Sequence, residues 1–134
     1  MKTTRTEAQK QEWKGAMQEL ARQVRSMSPQ EREAVALRCG TITAEGHALS
    51  VYNTCFLWTQ AGRVLVQVGG FRQWERVGRK VREGEHAAGY IYVPMSGKKR
   101  DDDEPETAEE RATGMRFRLV PVFDVSQTIE SEVV

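Results

Sequence analysis

The segment from Gly69 to Glu85 carries five basic residues, Arg72, Arg76, Arg79, Lys80 and Arg82, interleaved with Phe71 and Trp74, against three acidic ones, Glu75, Glu83 and Glu85. Cationic side chains neutralise phosphates and flat rings stack on unpaired bases, so this mixture suits a nucleic-acid strand. A blander reading fits the same letters. Phe71, Trp74 and Val77 recur every three residues, as on one amphipathic turn with its apolar side inward and its arginines merely solvated.

A second constellation depends on strand register. If Ile91 and Val93 face a core, period-two alternation places Tyr90 and Tyr92 on the opposite face; if Phe117 and Leu119 also face inward, Arg116 and Arg118 join the tyrosines there. Such a face would stack bases and hold phosphates. The alternative is that both tyrosines are core, covered by a helix, with the arginines at the sheet edge.

Other chemistries find little support. The two histidines, His47 and His86, stand in no HExxH or Cys/His spacing, so no metal or cofactor is expected. No phosphate-binding GxxxxGK[ST] loop or GxSxG elbow occurs, and we expect no catalytic residue. Cys39 and Cys55, outside any CxxC pattern, read as free thiols of a reducing compartment, hence a cytoplasmic protein. No apolar run reaches the roughly 18 residues of a membrane span, and the polar start is unlike a signal peptide.

The formal net charge of +1 hides an uneven distribution. Residues 63–100 hold nine basic and three acidic side chains, a local net of +6; residues 101–114 hold seven acidic ones and a single arginine, a local net of −6. The acidic block, within a mobile loop over 96–114, has too little apolar surface to offset its ordering entropy. The remaining body would then present a positive field.

The elements that must position these residues follow from period and caps. Over Glu7 to Met27, Trp13, Met17, Leu20, Ala21 and Val24 form a helical stripe. Ser28, Pro29 and Glu31 announce a second helix as N-cap, first-turn proline and capping-box partner, and Gly40 ends it. Residues 41–48 read as loop or a short edge strand, and Ser50 caps a third, largely buried helix to Gln60. Strands are expected over 63–68, 88–94 and 115–123, the last two pairing antiparallel, with a frayed tail beyond Val125. At 134 residues this is one α+β domain, N-terminal helices packed on a small antiparallel β-sheet.

The order of short motifs adds a family. Leu49-Ser50-Val51-Tyr52-Asn53, Gln60, Gly70-Phe71-Arg72-Gln73-Trp74, the basic run from Gly78 to Glu85, Ile91-Tyr92-Val93-Pro94, and Val122 to Thr128 occur in succession. Together they resemble the N-terminal single-stranded-DNA-binding domain of ArdC-type antirestriction proteins, over roughly 49–128. The resemblance implies a stand-alone domain of a plasmid, phage or other mobile element, residues 1–48 forming a helical N-terminal part and 49–128 the family-like core. It implies binding of single-stranded DNA without strong sequence preference, and a separate effector protein as a further partner. The HExxH motif of the family's metallopeptidase-like partner domain does not occur in these residues, so the resemblance carries no protease activity over.

On this reading Arg72, Arg76, Arg79, Lys80 and Arg82 take phosphates, Trp74, Tyr90 and Tyr92 stack on bases, and Asn53 and Gln60 hydrogen-bond to DNA, with Arg116 and Arg118 alongside the tyrosines. The rival function is a protein-interaction or regulatory module acting through Trp13 and Met17 of the first helix and the acidic loop.

Overall fold

Helix α1 (Glu7–Ser26) starts where Thr6 and Gln9 cap one another: Thr6 Oγ1 accepts from Gln9 N at 3.1 Å and Gln9 Oε1 accepts from Thr6 N at 2.8 Å. Its stripe buries Met17, Ala21 and Val24, while Trp13 and Leu20 pack at the margin. Helix α2 (Pro29–Cys39) opens on the expected Ser28–Glu31 capping box and ends at Gly40. Helix α3 (Val51–Ala61) is capped by Ser50, whose hydroxyl accepts from Asn53 N at 3.2 Å. The structure, a computed structural model, describes residues 6–95 and 117–131. The loop expected over 96–114, Arg116 and the extreme tail lie outside the described residues.

Both cysteines are free thiols. Cys55 is buried, with Sγ donating to Arg32 O at 3.3 Å, and burial pushes its thiol pKa up.

The principal sheet has the order β1 (Ile42–Thr43), β2 (Gln67–Gly69), β5 (Phe117–Asp124), β4 (Gly89–Pro94). The expected antiparallel β4–β5 pair is present, but β1 and β2 run parallel, so the sheet is mixed. A second element was not foreseen. Strand β3 (Arg79–Val81) pairs antiparallel with β6 (Thr128–Glu130), which follows a 3₁₀ turn over Val125–Gln127 in the supposed frayed tail. Helix α4 (Phe71–Arg76) joins β2 to this ribbon, with Gly78 turning the chain at φ 81°, a conformation that side chains disfavour.

The strand expected over 63–68 contracts to β2 because other groups satisfy the backbone before it. Thr41 Oγ1 donates to Leu65 O at 2.6 Å, Ile42 N donates to Val66 O at 3.1 Å, and Val66 N donates to Asp124 Oδ1 at 3.1 Å. Leu65 is buried while Val64 and Val66 point outward. Three apolar clusters result: Met17, Ala21, Val24, Val35, Cys55 and Phe56 under the helices; Leu57, Leu65, Val68 and Val122 between α3 and the sheet; and Ala44, Trp74 and Phe123 beneath α4.

Asp124 ties the second and third of these together. Burial opposes its ionisation, but the Ser126 hydroxyl and the backbone N–H groups of Ser126, Val66 and Gln67 outweigh burial and hold its pKa below the ordinary value. A folded-state pKa depressed in this way contributes stability that is complete above the ordinary aspartate value and is lost as pH falls through the folded value. Asp124→Asn turns a donor toward these donors and is expected to cost about 1–3 kcal/mol at neutral pH. In urea titrations the gap between variant and native protein should narrow as pH falls through the aspartate range.

Candidate nucleic-acid interface

The basic run folds into α4, a turn and β3, and this placement separates its cations into three kinds. Gly70 N donates to Gln73 Oε1 at 2.9 Å, fixing the first turn of α4; Gln73 Nε2 and Arg76 Nη2 both reach the Glu45 carboxylate, each at 3.2 Å. Arg76 is therefore exposed but ion-paired. In β3, alternation sends Arg79 inward beside Val81 and Lys80 outward. Arg79 clamps the ribbon, Nε to Thr128 Oγ1 at 2.7 Å and Nη2 to Thr128 O at 3.2 Å. Arg82 Nη2 donates to Glu85 Oε1 and to Ser126 O, both at 2.9 Å.

Arg72 and Lys80 remain exposed, and neither has an ion-pair partner among the described residues. Phe71, 55% exposed, leans on Phe123 at a ring separation of 4.7 Å and supplies a partly open ring beside Arg72. Lys80 lies opposite Ile129, itself exposed. Arg72 on α4 and Lys80 on β3 are thus available to neutralise phosphates, with Arg76 and Arg82 adding charge once they exchange partners.

The aromatic and amide residues expected at the site are engaged within the fold. Trp74 was expected to stack on bases, but it has no exposed surface, and its indole N–H donates to Phe123 O at 3.1 Å. It anchors the core under α4. Tyr90 meets Trp13 edge-on at 5.0 Å, and Tyr92 stacks on Phe56 at 5.1 Å and 18°. These tyrosines share their sheet face with Leu119, since Tyr92 lies opposite Leu119, whereas Arg118 lies opposite Val93 on the other face. Arg118 therefore does not join the tyrosines, and Arg116 lies outside the described residues.

Asn53 and Gln60 were expected to contact DNA; instead they bind helix to strand. Tyr92 N donates to Asn53 Oδ1 and Asn53 Nδ2 donates to Tyr92 O, both at 3.0 Å. Tyr90 N donates to Gln60 Oε1 at 2.8 Å, and Gln60 Nε2 donates to Tyr90 O at 2.7 Å. The two amides sit seven residues apart on α3 and run antiparallel to β4, each completing one residue of the strand that faces away from β5. Gly89 permits the approach: a Cβ there would lie 2.6 Å from Leu57 Cδ2. The apolar part of the rival interface is engaged too, because Met17 is buried and Trp13 packs on Tyr90, while its acidic loop lies outside the described residues.

Among the described residues, no group of three or more His, Cys, Asp or Glu side chains could hold a metal ion, and no helix is long and apolar enough to cross a membrane.

Residues 4–123 match the family described as the N-terminal domain of the anti-restriction factor ArdC. The chain belongs to this family. Two crystal structures of the antirestriction ArdC protein from plasmid R388 are similar in fold. The Mn(II)-bound one gives a TM-score of 0.49 at 18% identity over 87% of this chain and 40% of that one. The metal-free one gives 0.46 at 17% identity over 86% and 42%. This chain thus spans about two fifths of the length of those ArdC chains. A comparison with curated proteins finds no match.

Proposed function

We propose that this chain is a single-stranded-DNA-binding domain with an antirestriction or DNA-protection role, acting in the cytoplasm of a cell that carries a plasmid or phage-related element. The observation that carries the proposal is the cationic face of α4 and β3, where Arg72 and Lys80 are exposed without ion-pair partners among the described residues, in a chain of the ArdC N-terminal family. Cations displaced into solvent beside an open ring suit a flexible strand whose phosphates and bases are both accessible. The domain acts by binding rather than by catalysis: it coats entering DNA while that DNA is still single-stranded, keeping host enzymes from it, and a separate effector protein is a further partner.

Fluorescence anisotropy of a labelled single-stranded oligonucleotide and its duplex, at two salt concentrations, tests this. We expect tighter, salt-sensitive binding to the single strand. Arg72→Ala combined with Lys80→Ala should weaken it and flatten the logarithmic salt dependence by about 0.7 for each phosphate no longer neutralised. Absence of binding at low salt would overturn the proposal. Plasmid transfer into a restricting host, with and without this gene, tests the biological role, and equal transfer efficiency would count against it.

A further inference from the structure

Helix α3 turns Phe56 and Leu57 into the core and Trp58 out of it, leaving the indole 40% exposed. Trp58 borders two surface depressions. One, of about 370 Å³, is lined by Gln23, Met27, Trp58, Thr59 and Gly62; the other, of about 200 Å³, by Val35, Arg38, Cys39, Trp58 and Val64. Trp58 is the wall common to both. Among the described residues no carboxylate lines either depression, whereas Arg38 brings a cation to one and Gln23 and Thr59 bring polar groups to the other. Among the described residues the Trp58 ring makes no aromatic contact and its indole N–H has no acceptor.

We infer that Trp58 is a stacking platform for unpaired bases of single-stranded DNA, a base entering a depression that this residue lines. The inference rests on the DNA-binding reading above and adds a contact on α2 and α3, away from the α4 and β3 cations. A part-exposed indole that borders open depressions can stack on a base, a sequence-tolerant contact because every base presents a π-face. Arg38 in the lining complements the phosphate that accompanies such a base, and no carboxylate among the described lining residues opposes it. The rings first expected in this role, Trp74, Tyr90 and Tyr92, are packed within the fold.

The test is anisotropy titration of a labelled single-stranded oligothymidylate with native protein, Trp58→Ala, Trp58→Phe and the Arg72→Ala, Lys80→Ala double variant. Trp58→Ala is expected to weaken binding about tenfold with an unchanged salt slope, and Trp58→Phe to keep most of the affinity, since a ring remains. The double variant should instead lower the slope. Native binding that Trp58→Ala leaves intact would overturn the stacking inference while sparing the DNA-binding reading. A Trp58→Ala variant that abolishes self-association in sedimentation without changing DNA affinity would overturn it in favour of a protein contact. Native protein that fails to bind at low salt would overturn both.

Discussion

Trp74→Ala is expected to lower the unfolding free energy by about 3–5 kcal/mol, a large share of the roughly 5–15 kcal/mol that keeps a domain folded. The side chain has no exposed surface and fills the cluster with Ala44 and Phe123, against which Val81, Ala87 and Val125 also pack. Gly69 packs closely beside the ring, where a Cβ would meet Ala44 Cβ at 2.9 Å and the indole nitrogen at 3.3 Å, so truncation opens a cavity in a tight part of the core. It also strips Phe123 O of the donor at 3.1 Å. Trp74→Phe, which keeps a ring but loses that donor, should cost about 1–3 kcal/mol in urea unfolding. Because the indole lies inside the fold, folded Trp74→Phe should bind single-stranded DNA as tightly as native protein. A large affinity loss in the folded variant would return Trp74 to the binding face.

The second large effect concerns the junction of α3 with β4. Asn53→Leu and Gln60→Leu each remove a donor and an acceptor at once, stranding the N–H and C=O of Tyr92 and of Tyr90. Half-burial tempers the loss, so each substitution is expected to cost about 2 kcal/mol, with Gln60 the larger because Nε2 also donates to Phe56 O at 3.1 Å. Denaturant titrations of the single and double variants measure this. Native-state hydrogen exchange adds a local readout: in Asn53→Leu the Tyr92 amide should exchange much faster than amides in the middle of α1. Protection that survives in both variants would show that the amides are incidental to the junction.

The residues that were legible in the sequence act over short range. Ser28 with Glu31, and Ser50 ahead of the third helix, satisfy N–H groups three residues away, so their letters alone mark the helix starts. The α1 stripe and the antiparallel pairing of 88–94 with 115–123 followed from period and from the chain returning on itself. What was missed depends on partners far along the chain. Val81 pairs with Thr128, 47 positions further on, and nothing local in Arg79, Lys80 and Val81 distinguishes a three-residue strand from a basic turn. The tyrosine face failed on register, because Leu119 rather than Arg118 stands opposite Tyr92, and a shift of one residue exchanges every side chain between faces. Trp74 shows the limit of composition, since a tryptophan among arginines reads alike whether it anchors a core or awaits a base. Trp58 carried no signal beyond being one more aromatic in a helix that is otherwise buried.

The two amides of α3 have a consequence for solubility. A strand at the margin of a sheet with its outward N–H and C=O groups unanswered is a template on which another chain can lay down a matching strand, the step that begins aggregation or domain swapping. Long or flat margins are usually blunted by charge, proline or a bulge. Here Asn53 and Gln60 occupy the template itself, since each side-chain amide presents the same donor and acceptor that an incoming peptide would offer. The β4 margin is thereby closed to its own kind while remaining regular, and a run of Gly, Tyr, Ile and Val that meets its first proline only at Pro94, a composition prone to self-pairing, can be carried safely by a small domain.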